Sequence, residues 1–149
     1  MSQARHVMNP NPWTARTNTP ITRVRQLMNE RNVSHVPVIS GHGHLRGIVT
    51  RHSLIAAPSS GWRHRHTEDR LVAHIMDREF EAISADQSLV EVGRLLLDGG
   101  HGCLPVLDED KMLVGLVTAR DFIRLVMRGE SGIAPRMPGS SADDFAVAM

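Results

Sequence analysis

One cysteine in 149 residues allows no disulfide within the chain, so any core must hold by packing alone. Aromatic residues make up only 3% of the chain, and no stretch approaches the roughly 20 consecutive apolar residues that cross a bilayer. An excess of one charge sign is also missing. The 17 Lys and Arg against 16 Asp and Glu leave a formal +1, which excludes a global field of the kind that draws a protein onto nucleic acid or anionic lipid. The start, MSQARHVMNP, carries no apolar run before a small-residue cleavage site, and with the lone thiol this gives a reducing cytoplasm as the expected location. Nucleophile elbow, P-loop, HExxH and paired-carboxylate signatures are absent too, so catalysis is not expected. What remains is 41% hydrophobic residues in a chain of this length, enough to bury roughly two thirds of the unfolded surface in one compact unit or two very small ones.

The chain repeats itself. HVPVI at 35–39 returns as CLPVL at 103–107, an offset of 68 that also carries Gly47-Ile48-Val49-Thr50 onto Gly115-Leu116-Val117-Thr118 and His6-Val7-Met8 onto His74-Ile75-Met76. Across the fifty aligned positions from His6 to Ile55, eleven are identical without a gap. Chance gives about three at ordinary composition. A tandem duplication follows.

Each copy presents the same order of signals. Ile21, Val24, Leu27 and Met28, mirrored by Leu89, Val92, Leu95 and Leu96, mark one apolar helix face. Thr19-Pro20 and the capping box Ser88-x-x-Glu91 place the helix starts, and Gly99-Gly100 ends the second helix. Two β-rich runs follow in each copy, joined by the hairpin-length connections SGHGH and DEDKM. A last helix starts after Thr50 or Thr118, while Thr14–Arg16 and Ala82–Ser84 have room for a short strand. Pro37 and Pro105 are expected at strand starts, where a missing N–H costs little. The pattern predicts an α+β fold of two β-α-β-β-α copies, packed about a pseudo-two-fold axis because either alone would leave a sheet face bare. The expected divisions are a first repeat at 1–55, a linker at 56–70, a second repeat at 71–128 and a disordered tail at 129–149.

These copies resemble the CBS domain, and the pair resembles a Bateman module. The resemblance is carried by Val36-Pro37-Val38-Ile39 and Leu104-Pro105-Val106-Leu107, by the two G-h-h-T segments, by Asp121 three residues after Thr118, and by Val7-Met8 and Ile75-Met76. It covers residues 6–126 and implies a regulatory module that binds AMP, ADP, ATP or S-adenosylmethionine in a cleft between the repeats, with no required cofactor. By the same resemblance, Asp121 accepts from ribose hydroxyls, and Thr118 with the helix start meets phosphate beside the mobile cation of Arg120. Gly102, Cys103, Leu104 and Pro105 border the adenine, and Ala82, Ile83 and Ser84 form the other wall. A helix N-terminus and a carboxylate suit phosphate and vicinal hydroxyls respectively.

The corresponding first-copy residues are Thr14, Ala15, Arg16, His35, Val36, Pro37, Thr50, Arg51, His52 and Ser53. Ser53 replaces the acid, so this site is expected to be weaker, differently selective or empty. Two bland readings stand beside the sharp one. Thr118-x-x-Asp121 is also a plain helix cap, and the whole module could be structural, dimerising without nucleotide. A homodimer is expected through Val7, Met8, Ile75, Met76, Phe122, Leu125 and Val126, and the regulated partner would be another polypeptide. His42-x-His44 and His64-x-His66 fall in loops and lack the further ligands of a zinc site, so no metal is expected. The run Trp62–His66 is followed by Glu68-Asp69 and suits a solvated linker better than nucleic-acid contact.

Overall fold

A computed structural model describes residues 2–56, 70–100, 102–131 and 147–148. The elements are β1 (Thr14–Arg16), α1 (Ile21–Arg31), β2 (His35–Ile39), β3 (Leu45–Thr50) and α2 (Arg51–Ala56), then α3 (Leu89–Asp98), β4 (Cys103–Leu107), β5 (Leu113–Thr118), α4 (Ala119–Ser131) and β6 (Val147–Ala148). One-turn 3₁₀ helices at Ala4–His6 and Val72–His74 open the two copies.

The chain divides into two compact units, but they are not the two sequence repeats. One is Met1–Pro12 with Glu81–Phe145, the other Trp13–Phe80 with Ala146–Met149. Each unit therefore takes its opening segment from the other copy. In the first, Ala4 donates its N–H to Gln87 O at 2.8 Å, Arg5 to Ala85 O at 2.9 Å, and Asn9 and Leu116 exchange N–H···O bonds at 2.9 and 3.0 Å. The second repeats the pattern 68 residues along: Val72 to Thr19 O at 2.9 Å, Ala73 to Thr17 O at 3.3 Å, and Asp77 with Ile48 at 2.8 and 2.9 Å.

In the unit of residues 13–80, β2 lies between β1, parallel to it, and β3, antiparallel. Alternation along the strands sends Ala15, Val36, Val38 and Val49 to one face, where Ile21, Val24 and Met28 of α1, Leu54 of α2, and Val72 and Met76 of the opening segment close a core. α1 ends at Asn32, whose φ of 53° is a left-handed cap.

In the other unit, β4 and β5 form the equivalent hairpin, and Ala4, Ile83, Val92, Leu104, Val106 and Val117 form the core. Ser88 caps α3 by accepting from Glu91 N, and Gly99 ends it. Both hairpins carry the same irregularity, between Val38 and Ile39 and between Val106 and Leu107.

Two expectations about the strands are corrected. Pro37 and Pro105 sit third in their strands, paired with Ile48 and Leu116, rather than at strand starts. Ile48 directs both backbone groups at Asp77, and Leu116 both at Asn9, so neither asks a proline for a hydrogen bond. The short strand expected at Ala82–Ser84 is reduced to one parallel bridge, Ile83 with Val106, in which Ile83 donates to Pro105 O at 2.9 Å and accepts from Leu107 N at 2.8 Å. The region expected as a disordered tail begins in helix, because α4 runs through Gly129 to Ser131, and a single glycine costs only about 1 kcal/mol. Near its end, β6 adds to the open edge of β1, pairing Thr14 with Val147 and Ala15 with Ala148. At the expected linker, Ala56 closes α2 and Arg70 O accepts from Ile21 N at 2.8 Å; residues 57–69, with His64 and His66, lie outside the described residues.

Candidate functional site

In the unit that holds the second copy, the junction of β5 with α4 is a reciprocal cap. Asp121 Oδ2 accepts from Thr118 N and from Thr118 Oγ1, both at 2.9 Å, while Thr118 Oγ1 accepts from Asp121 N at 3.2 Å. Among the described residues Oδ1 has only the Arg124 guanidinium, loosely placed at 3.7 Å, and the Asp121 side chain keeps 20% of its surface exposed. The carboxylate therefore caps its helix with one oxygen and holds the other open to a hydroxyl donor. Gly102, at φ 71°, turns the chain into β4 in the left-handed region and accepts from Ala119 N at 3.1 Å, which brings β4 beside the helix start. Cys103 stands opposite Thr118 in the ladder. It is buried, and desolvation pushes its thiol up to about 12, so it is a neutral wall rather than a nucleophile. Arg120 is exposed.

The other expected residues here are placed differently. Ile83 and Leu104 are core residues whose side chains pack within the unit, so only their backbone remains for recognition. Ser84 donates to Asp86 Oδ1 at 2.6 Å, which holds that exposed carboxyl below its ordinary value. Ala82 is exposed, and Pro105 is buried on β4.

The first copy builds the same junction with neutral groups. Thr50 N donates to Ser53 Oγ at 3.2 Å, Ser53 N to Thr50 Oγ1 at 3.1 Å, and the two hydroxyls meet at 3.1 Å. Arg51 N donates to Ser34 O, matching the Ala119–Gly102 bond. The Arg51 side chain, however, turns back to the end of α1 and donates to Met28 O at 2.9 Å, with Asn29 Oδ1 and Ser34 Oγ each at 3.4 Å. It thus caps the C-terminal carbonyls of α1. His35 stands opposite Thr50, and His52 is exposed. Ala15 and Val36 belong to the core, whereas Thr14, Arg16, His35 and Pro37 alternate onto the opposite face.

One feature was not legible in the sequence. Thr14 is 6% exposed and its Oγ1 is buried without a hydrogen-bond partner among the described residues. Only the register of β1 against β2 reveals that this hydroxyl has been turned from the core and left unsatisfied.

Among the described residues, no three His, Cys, Asp or Glu side chains come together as a metal site requires, and no helix is long and apolar enough to cross a membrane. A depression of about 400 Å³ on α1, lined by Thr22, Arg25, Gln26, Asn29 and Glu30, includes none of the expected site residues.

The family model for the CBS domain matches residues 4–60 and 72–128. A CBS domain-containing protein of Dictyostelium discoideum is 27% identical over 139 residues, covering 89% of this chain and 96% of its own length. An L-aspartate semialdehyde sulfurtransferase of Methanocaldococcus jannaschii is 24% identical over 119 residues, but the chain spans only 22% of that protein. The CBS-pair protein CBSX2, from Arabidopsis thaliana and solved in complex with AMP, aligns at a TM-score of 0.77 and 24% identity over 87% of this chain and 99% of that one. The CBS domain pair of the protein MJ0100, solved with 5-methylthioadenosine and S-adenosyl-L-methionine, aligns at 0.70 and 23% over 84% and 99%.

Proposed function

The chain belongs to the CBS-domain family, and from that premise we propose that it is a regulatory module binding an adenosine-containing small molecule through the Thr118–Asp121 junction. The observation that carries this reading is the divided role of Asp121: Oδ2 is consumed by the helix cap, and Oδ1 stays available for a ribose hydroxyl. The same carboxylate would do half of that work in a purely structural module, which is the second reading. CBSX2 with AMP and the MJ0100 pair with S-adenosyl-L-methionine support the first. The module acts in the cytoplasm on another polypeptide and catalyses nothing itself.

A thermal-shift panel of AMP, ADP, ATP, S-adenosylmethionine and NAD tests the reading. A ligand at a hundred times its Kd adds about 2.7 kcal/mol, several degrees for a domain of this size. No shift with any of them leaves the structural module.

A homodimer belongs to the same proposal, although of the seven residues expected to carry it Val126 alone is exposed. Met76 is buried, and Val7, Met8, Ile75, Phe122 and Leu125 are at least half-buried within their units. Among the described residues, the exposed large apolar side chains are Ile123, Val126 and Met127 on α4, Val90 and Leu97 on α3, and Ile55 on α2. Light scattering that returned a 16.5 kDa species at tens of micromolar would overturn the dimer.

A further inference from the structure

We propose that the two copies take adenosine ligands of opposite charge, the first copy a polyphosphate-bearing nucleotide and the second an uncharged or sulfonium-bearing adenosine. This rests on the adenosine reading above and goes further by assigning a ligand class to each face.

The two junctions share one hydrogen-bonding frame, so the exchange of Asp121 for Ser53 within it is a difference of charge. The first copy has Thr14, Arg16, Arg51 and Ser53 where the second has Ala82, Ser84, Ala119 and Asp121. Arg16 adds a cation to the first copy and Ser53 removes an anion, while the Arg51 guanidinium is turned to the end of α1 and His52 stands where the second copy has Arg120. The hairpin beyond β2 contains His42 and His44, whereas the one beyond β4 contains Asp108, Glu109 and Asp110. Arg16 pairs with Ile39 at that end of β2, its guanidinium lies against Gly41, and it has no hydrogen bond or ion pair among the described residues.

From His35 to Ile39 the first-copy face is about 13 Å long, the order of an extended nucleotide, with the Thr50–Ser53 junction at one end and Arg16 at the other. Between them sits the Thr14 hydroxyl, buried and without a partner among the described residues. A buried polar group without a partner costs stability, so its retention points to a ligand atom as the missing partner. The second copy has a methyl group there.

The surroundings agree with the sites. Among the described residues, the unit of residues 13–80 carries eight arginines against three acids, and the other carries six Lys and Arg against nine acids. The formal +1 of the whole chain conceals one basic and one acidic unit.

Calorimetry on the full chain with ATP and with S-adenosylmethionine tests this, using Thr14→Val, Arg16→Gln and Asp121→Asn. The parent should bind both ligands without competition. Thr14→Val and Arg16→Gln should each weaken ATP about tenfold and leave S-adenosylmethionine within twofold. Asp121→Asn should do the reverse. ATP affinity should also fall with added salt more steeply than that of S-adenosylmethionine. Thr14→Val removes an unsatisfied hydroxyl, so it should melt at or above the parent temperature, separating lost affinity from lost folding. Competition for a single site, both classes of variant weakening the same ligand, or unchanged ATP binding by Thr14→Val would each overturn the charge division while leaving the adenosine reading intact. Failure of the parent to bind either ligand would remove both.

Discussion

The sulfur of Met8 lies 2.5 Å from the point where a Cβ on Gly115 would stand, and Met76 makes the same approach to Gly47 at 2.8 Å. The glycine of each G-h-h-T segment is therefore explained by a side chain from the other copy's opening segment, which crosses the strand where any Cβ would collide. Gly115→Ala should lower stability by about 1–3 kcal/mol through overpacking. Combining it with Met8→Ala should restore part of that loss relative to the sum of the single variants, a coupling that denaturant melts on all four proteins would measure.

The two hairpin turns adopt one geometry with different residues. Gly43 has φ 87° and Lys111 has φ 66°, and the preceding Ser40 and Asp108 side chains accept from the turn's N–H groups. Gly43→Ala should cost about 1 kcal/mol, since a Cβ is strained there. Lys111→Gly should gain only a few tenths, because glycine's larger unfolded-state entropy offsets the relief of strain. Chemical denaturation checks both signs.

Burial pushes the Cys103 thiol up to about 12 from an ordinary 9.0. Below pH 9 both folded and unfolded chains keep the proton, and the full stability is present. Between pH 9 and 12 the unfolded chain ionises first, so stability should fall by on the order of 1 kcal/mol per pH unit. Urea melts at pH 8, 9 and 10 should show this slope, and it should be absent in Cys103→Ala. The native thiol should also resist iodoacetamide at pH 8.

The caps separate the two copies without any ligand. Asp121→Ala removes the acceptor of two hydrogen bonds at the start of α4 and should cost about 1–2 kcal/mol in the apo protein. Ser53→Ala removes a neutral, longer set and should cost less. Equal losses would mean that the charge on Asp121 adds nothing to its cap.

Duplication, helix faces, hairpins and the Thr118–Asp121 junction were all legible in the sequence because each is local: a period, a cap or a turn of fixed length. The exchange of opening segments was not. An offset of 68 pairs Met8 with Met76 and Gly47 with Gly115 whichever methionine covers whichever glycine. Arg51 is a candidate first-copy site residue by its sequence position, yet its guanidinium follows the end of α1, whose position depends on tertiary packing. Residues at adjacent positions were also grouped as one wall, although strand alternation sends Ala15 and Val36 into the core and leaves Thr14 and His35 on the other face. The short pairing of Val147–Ala148 with β1 comes from an open sheet edge that composition does not disclose.

The exchanged openings make each unit depend on both halves of the chain, because each half carries the segment that completes the other unit. What two separate pieces could reach only by concentration, the chain achieves by covalent linkage. Severing the backbone between residues 56 and 70 should leave two fragments, each incomplete, that fold by complementing one another.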